Sequence, residues 1–168
     1  MKIKTIKVGG LQTNCYVVID ETTKEAVVID PGDEGRKILP ALKDLKVRYI
    51  VITHDHFDHI GAVAAVKKAT GAQIFSGNEV KFGAIALKVI KTPGHTPDSV
   101  CLYTPGYLFA GDTLFSTAHG RTDLPGGSQN EMNKSLKLLA TLPDNTLVYP
   151  GHDESTSIGL EKERGTLV

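Results

Sequence analysis

The sequence carries no excess charge of either sign and little cysteine. Its 168 residues include 19 Lys and Arg and 19 Asp and Glu, so the formal net charge is zero at pH 7. This balance disfavours a protein that binds nucleic acid or an anionic membrane surface. The two cysteines, Cys15 and Cys101, lie in apolar runs and form no CxxC pair, so we expect buried thiols rather than a disulfide or a redox pair.

Long hydrophobic segments are absent as well. The N-terminal stretch MKIKTIKVGG lacks the apolar core of a secretory signal, and no apolar run approaches the ~20 residues that a membrane span needs. Apolar residues make up 40% of the chain and charged residues 23%, which excludes a disordered tail. We therefore predict a cytoplasmic protein with a single domain over residues 1–168.

Short β-branched runs separated by Gly and Pro dominate the chain and predict many short strands. The predicted strands are Lys2–Val8, Cys15–Asp20, Ala26–Asp30, Tyr49–Thr53, Gln73–Phe75, Ala86–Ile90, Ser99–Tyr103, Tyr107–Ala110 and Thr146–Tyr149. A hairpin turn is predicted at Thr22-Thr23, between the second and third of them.

Three helices are predicted between the strands from the spacing of apolar residues, at Glu34–Leu45, Ile60–Ala69 and Gln129–Ala140. Pro40 weakens the first, and Gly71 is a plausible C-cap of the second. Ser128 and Glu131 form a capping box before the third. Many strands with a few helices indicate an α/β sandwich with helices packed on the faces of sheets.

The densest group of potential metal ligands follows the run Tyr-Ile-Val-Ile and consists of His54, His56, Asp58 and His59. On a helix these four side chains would scatter, and on a strand His59 would point away from the others. The segment is therefore predicted to be a loop at the end of a strand, with His59 leading into the helix that begins at Ile60. Three imidazoles and a carboxylate without a neighbouring Lys or Arg indicate metal ligands rather than a solvated charge cluster.

Three further candidates, His95, Asp112 and His152, each follow a predicted strand and stand in a loop that contains glycine. If those strand ends lie along one edge, the side chains converge. Five histidines and two aspartates would then form two adjacent metal sites that share a ligand. Other side chains are interpreted as structural: His119 as a surface or core histidine, and Asp20, Asp30 and Asp33 as strand-end or turn aspartates.

These motifs resemble those of the metallo-β-lactamase fold superfamily. Residues 53–59, THDHFDH, are similar to its signature THxHxDH, and GHTP at 94–97, GDTLF at 111–115 and PGH at 150–152 match later motifs in the correct order. The resemblance covers essentially the whole chain and points to the glyoxalase II-like branch, which includes the hydroxyacylglutathione hydrolases. The segment GRTDLPGGS at 120–128 is typical of its small bacterial members.

The resemblance implies a four-layer αββα sandwich, a single metallo-β-lactamase-like domain with its site at one edge of two sheets. By position, it implies a first metal held by His54, His56 and His95, a second held by Asp58, His59 and His152, and a bridging Asp112. Zinc is the favoured metal, and iron and manganese are the alternatives. Asp58 is expected to orient a metal-activated water or accept its proton, so Asp58 and Asp112 are the predicted catalytic carboxylates.

The function implied is hydrolysis of small thioesters or related acyl compounds at a dinuclear metal centre. The chain ends 16 residues after His152, where full-length glyoxalase II enzymes carry a helical domain that supplies much of the glutathione-binding surface. We expect that domain to be absent and the site to be more open. Asp98 stands where the family often has Gly, and Arg121 either meets an anionic substrate group or pairs with Asp123.

Two other functions are considered. Persulfide dioxygenases of the same branch resemble this sequence and use a single iron held by residues that match His54, His95 and Asp112. A non-catalytic metal-binding protein is disfavoured, because structural zinc sites are usually closed and rich in cysteine. Small molecules are the expected partners, with neither nucleic acid nor membrane among them.

Overall fold

The computed structural model describes residues 1–167, so Val168, the last residue of the predicted domain, lies outside the described range. The chain divides into two compact units, Met1–Leu87 and Lys88–Val168. One domain over residues 1–168 therefore stays a prediction. Within the described range, none of the helices has the length and hydrophobicity that a membrane crossing requires.

The first unit contains a mixed sheet in the order β1-β2-β3-β4-β5. Its strands are β1 (Lys2–Val8), β2 (Thr13–Ile19), β3 (Glu25–Ile29), β4 (Lys46–Val51) and β5 (Gln73–Ile74). The first three pair antiparallel, and β3, β4 and β5 pair parallel. The predicted hairpin turn between β2 and β3 is present, and the Thr22 amide donates a 2.9 Å hydrogen bond to the Asp20 carboxylate within it.

The first predicted helix, Glu34–Leu45, is wrong as one continuous α-helix. The structure has a short helix α1 (Gly35–Ile38) followed by a 3-10 turn over Leu39–Leu42. Pro40 stands at the start of that turn, where its missing N–H breaks the α-helical hydrogen-bond pattern.

The second predicted helix, Ile60–Ala69, is two helices, α2 (Phe57–Ile60) and α3 (Val63–Thr70). Gly61 lies at the break, where a Cβ would come within 2.4 Å of the Gly32 carbonyl oxygen. The predicted C-cap is confirmed, because Gly71 ends α3 with a φ of 72°. The α2 helix therefore begins three residues earlier than expected and includes part of the predicted ligand loop.

The apolar core of the first unit explains why these elements form. Every residue of β2 is buried, so both faces of this strand are covered. Branched side chains of the sheet pack with buried residues of the helices, including Val17, Val28 and Ile50 from the sheet and Ile38 and Val66 from α1 and α3.

In the part of the chain that the structure describes, a second sheet has six strands in the order β13-β12-β9-β8-β7-β6. Its strands are β6 (Glu79–Phe82), β7 (Ile85–Lys91), β8 (Val100–Thr104), β9 (Tyr107–Gly111), β12 (Leu147–Pro150) and β13 (Thr156–Ser157). A separate hairpin consists of β10 (Leu114–Phe115) and β11 (Ala118–His119). The β7, β8 and β9 strands pair antiparallel in succession, and β9 pairs parallel with β12. Consequently β7, β9 and β12 run in the same direction, and their carboxyl ends lie at one edge of this sheet.

Two helices complete the second unit, α4 (Gln129–Leu139) and α5 (Ile158–Glu163). The Ser128 hydroxyl accepts a 3.3 Å hydrogen bond from the Glu131 amide, as the capping motif predicts. The apolar stripe of α4 is buried together with Ile158 of α5. The α5 helix was not predicted, because its six residues are too few to show a helical period.

Candidate metal centre

The first ligand group consists of His54, His56, Asp58 and His59 and follows the carboxyl end of β4. His54 and His56 lie in the loop, whereas Asp58 and His59 lie in α2. The Nε2 atom of His54 is 3.1 Å from Nδ1 of His56, and Nε2 of His59 is 3.5 Å from Oδ2 of Asp58. The rings of His54 and His59 have centroids 4.1 Å apart, so the structure brings this whole group together.

A buried carboxylate, that of Asp30, orients two histidines of this group. It accepts a 2.9 Å hydrogen bond from Nδ1 of His59 and a 2.6 Å hydrogen bond from the Thr53 hydroxyl. The Thr53 oxygen lies 3.2 Å from Nδ1 of His54 and can accept its proton. Both Nε2 atoms are thereby left with lone pairs for a metal, as is usual where a second residue supports a ligating histidine.

Sequence reasoning missed this role, since it interpreted Asp30 only as a strand-end aspartate. The parallel register of β3 and β4 pairs Ile29 with Val51, which places Asp30 beside the start of the ligand loop. The Thr53 amide also donates to Asp30, at 2.7 Å. The only local signal was an aspartate directly after a buried strand, which many structural aspartates share.

Asp58 is held by residues far from it in the sequence. The Thr13 hydroxyl, at the start of β2, donates a 2.9 Å hydrogen bond to Oδ2 of Asp58. Gly32 packs on its main chain, and a Cβ at Gly32 would lie 1.7 Å from the Asp58 carbonyl oxygen. The sequence analysis assigned neither Thr13 nor Gly32 a role at the site.

The second ligand group consists of His95, Asp112 and His152, which follow β7, β9 and β12. These strands end at one edge of the sheet, and the loops that follow them bring these three residues close together. Oδ2 of Asp112 lies 3.6 Å from Nε2 of His95 and 3.5 Å from Nε2 of His152.

A main-chain carbonyl orients His95. Its Nδ1 donates a 2.8 Å hydrogen bond to the carbonyl oxygen of Arg121, which leaves Nε2 for a metal. The preceding Gly120 allows this approach, because a Cβ there would lie 1.9 Å from the Asp112 carbonyl oxygen and 3.1 Å from Nδ1 of His95.

The Arg121 side chain forms the ion pair that was one of its two predicted roles. Its Nε and Nη2 atoms each donate a 2.8 Å hydrogen bond to the Asp123 carboxylate. This hydrogen-bonded pairing raises the pKa of Arg121 and lowers the pKa of Asp123 to about 2. Both side chains are exposed, so the pair adds little to stability.

The donor atoms of each group fit a divalent transition metal. Nitrogen and oxygen ligands bind zinc at about 2.0–2.2 Å, so two ligands of one ion lie roughly 3 to 3.6 Å apart. The separations of 3.1 and 3.5 Å in the first group and 3.5 and 3.6 Å in the second agree with that spacing. Imidazole and carboxylate ligands suit zinc, iron and manganese alike.

Comparison with known proteins shows which sequences this chain is similar to. The model of the metallo-beta-lactamase superfamily matches residues 8–84 and 74–152. The chain is 40% identical over 157 residues to the hydroxyacylglutathione hydrolase of Methylobacillus flagellatus, a match that covers 82% of this chain and 62% of that enzyme.

Solved structures are similar over almost the entire chain. ETHE1 from Myxococcus xanthus superposes with a TM-score of 0.89 and 35% identity, covering 98% of this chain and 83% of that one. TTHA1623, solved in a di-iron-bound form, gives a TM-score of 0.85 and 32% identity, with 96% and 98% covered. These similarities confirm the predicted α/β fold of the metallo-β-lactamase type.

Proposed function

The chain belongs to the metallo-β-lactamase superfamily, and from this premise we propose that it is a metal-dependent hydrolase of small thioesters or related acyl compounds. The observation that carries the proposal is the pair of ligand groups, in which each neighbouring pair of donor atoms has the spacing of metal ligands. The likeness to a hydroxyacylglutathione hydrolase supports the choice of a thioester. A cytoplasmic location and a small-molecule substrate, without nucleic acid or membrane, stay predictions from the sequence.

The proposed centre holds two divalent metals, with zinc favoured over iron or manganese. The proposed ligands are His54, His56 and His95 for one metal, Asp58, His59 and His152 for the other, and a bridging Asp112. Such a metal, when bound, lowers the pKa of a coordinated water towards ~7 and polarises a carbonyl oxygen.

The remaining chemistry belongs to the side chains of this chain. Asp58 is the proposed group that orients the attacking water or accepts its proton, and the Thr13 hydroxyl fixes the carboxylate for that task. Asp30 keeps the Nδ1 protons of His54 and His59 directed away from the donor atoms. A contact between Arg121 and an anionic substrate group stays a prediction, and it would require that side chain to leave Asp123.

The first experiment counts metal atoms per chain in protein purified without chelator, and then measures hydrolysis of a thioester panel after reconstitution. We expect two metals per chain, zinc or mixed, and metal-dependent release of the thiol. A protein that resists loading, or that is loaded and hydrolyses no thioester, would overturn the proposal.

The alternative is a mononuclear iron oxidoreductase that resembles persulfide dioxygenases, with iron held by His54, His95 and Asp112. Iron as the metal is supported by the similar structure of TTHA1623, which was solved in a di-iron-bound form. The single iron comes from the sequence resemblance alone. One iron per chain, little zinc, and oxygen uptake with glutathione persulfide would favour this function. Iron-loaded protein that consumes no oxygen with this substrate would exclude it.

A further inference from the structure

A cleft of about 530 Å³ lies in the first unit and is lined on one side by the candidate ligand Asp58. Leu11, in the turn between β1 and β2, and Phe57, the first residue of α2, line its walls, so we call it the Leu11–Phe57 cleft. Its volume is in the range of about 300–1,000 Å³ that small-molecule sites occupy.

The wall that carries Leu11 is fixed at both ends. The Gln12 amide donates to the Gly9 carbonyl at 3.2 Å, which closes the turn, and the Gly9 amide donates to the Glu34 carboxylate at 3.0 Å. On the other side, the Thr13 hydroxyl bonds the Asp58 carboxylate. The cleft is therefore preformed, so a ligand need not order the turn when it binds.

The apolar character of the cleft is unusual for this chain. Phe57 is 77% exposed and Leu11 is 56% exposed, and they are the two most exposed large apolar side chains within residues 1–167. That both line one cleft, next to a candidate catalytic residue, indicates a binding surface rather than scattered surface residues.

The charged side chains that line the cleft are both carboxylates. Its lining residues include the carboxylates of Asp33 and Asp58 and neither a lysine nor an arginine. Asp58 is a proposed metal ligand, whereas the Asp33 carboxylate, which accepts a hydrogen bond from the Glu34 amide, stands at the rim of the cleft. A substrate group that carries a carboxylate would be repelled there, while an uncharged apolar group would not.

We propose that the Leu11–Phe57 cleft binds an uncharged, apolar substituent of the substrate and selects against thioesters that bear a carboxylate at that position. The inference rests on the proposed thioester hydrolysis and names its substrate class. The substituent belongs either to the acyl group or to the thiol. In both cases the cleft would bind it through apolar contacts with Leu11 and Phe57.

The test compares kcat/KM for two matched series with the metal-loaded protein. In the acyl series, one uncharged thiol carries acetyl, hexanoyl or adipoyl; in the thiol series, acetyl is carried by ethanethiol, hexanethiol or 6-mercaptohexanoate. In one of the two series, we expect kcat/KM for the uncharged six-carbon compound to be about 10-fold or more higher than for its short analogue and for its carboxylate analogue. Equal values across both series, or a preference for the carboxylates, would overturn the proposal.

Variants of the cleft residues test whether the cleft causes this preference for the uncharged six-carbon compound. Phe57→Ala and Leu11→Ala should each remove most of the preference for the six-carbon compound, whereas Leu138→Ala, at a leucine of α4 that is 47% exposed, should not change it. Asp33→Asn should raise the ratio of kcat/KM for the carboxylate compound to kcat/KM for the uncharged six-carbon compound. In the wild type the same ratio should rise with salt, because exposed charges are screened. If these variants behave like Leu138→Ala, the cleft does not select the substrate.

A binding measurement separates failure of this inference from failure of the proposed function. If no thioester is hydrolysed, thioester hydrolysis fails, and the cleft is then tested by calorimetric titration with uncharged hexyl thioethers, which cannot be cleaved. We expect binding with a negative heat-capacity change that Phe57→Ala weakens about 10-fold. Unchanged binding in that variant would overturn the inference, even if hydrolysis occurs.

Discussion

The two ligand groups reach the same donor spacing by opposite routes. In the first unit, four ligands lie between residues 54 and 59, and their neighbouring donor atoms are 3.1 and 3.5 Å apart. In the second unit, three ligands are spread from residue 95 to residue 152 and still lie 3.5 and 3.6 Å apart. A continuous peptide segment brings the first group together, whereas three strands that end at one sheet edge bring the second together.

The support of the two groups differs in the same way. His59 and, through Thr53, His54 depend on the side chain of Asp30, which a substitution can change. His95 depends on the carbonyl of Arg121, which every residue at that position would supply. A dense local motif therefore relies on a distant side chain, and a dispersed motif relies on the main chain of a neighbouring loop.

The largest effect should come from removing one ligand from each group. We expect His54→Ala and Asp112→Ala each to lower kcat/KM by more than about 100-fold, because losing a ligand costs more than losing its supporting hydrogen bond. Metal content per chain and circular dichroism would be measured in parallel. His119→Ala is the control, since His119 donates to the Gly120 carbonyl instead. Near-wild-type turnover in either ligand variant would contradict both the site and the function.

The dependence of the first group on a side chain is tested by Asp30→Asn. The amide can accept fewer hydrogen bonds than the carboxylate, so we expect metal affinity to fall by about 10- to 100-fold. Competition with a chromogenic chelator would measure it. Asp20→Asn is the control, because Asp20 is also a buried strand-end carboxylate but bonds the amides of Thr22 and Ala84. Equal losses in both variants would point to a general loss of stability.

Beside each ligand group, one glycine packs against the main-chain carbonyl of an aspartate of that group: Gly32 against Asp58 and Gly120 against Asp112. We expect Gly32→Ala and Gly120→Ala each to lower the free energy of unfolding by about 1–3 kcal/mol, because the added methyl group would overlap main-chain atoms. Urea titration would measure the change. Gly10→Ala is the matched control, since a Cβ there meets nothing within 4 Å. A difference between the two test variants would show which group tolerates a shift of its backbone.

The smallest expected effect is on the stability of the second unit, at Glu161, a residue away from the candidate ligands. Burial raises the pKa of Glu161, but hydrogen bonds from Thr156, Thr166, the Thr117 amide and Arg164 together outweigh burial and lower the pKa below its ordinary value. Because the folded pKa is depressed, ionised Glu161 contributes stability above the unfolded pKa of about 4.3, and this contribution is lost as the pH falls below it.

We therefore expect Glu161→Gln to be less stable than the wild type at pH 7 and to approach it at pH 3.5, in urea titrations at both values. Glu163→Gln is the control in the same helix, and it should change little at either pH. A constant difference between Glu161→Gln and the wild type would mean that the carboxylate is not the titrating group.

Local patterns account for much of what could be predicted. Most strands, the cap at Ser128 and the seven candidate ligands depend on residues close together in the sequence or on a strand and the loop after it. The two errors in the helices have different causes, one local in the sequence and one from a neighbour in space. Pro40 divides the first predicted helix, and the contact of Gly61 with Gly32 divides the second.

By itself, the sequence determined the superfamily, and it placed each candidate ligand after a strand, because these features depend on motifs with fixed spacing. Only the tertiary structure decided what holds the ligands. The parallel register of β3 and β4 places Asp30 beside the first group, and the shared direction of β7, β9 and β12 gathers the second. The Leu11–Phe57 cleft arises in the same way, since two residues 46 positions apart become its walls only when the β1–β2 turn and α2 are folded together.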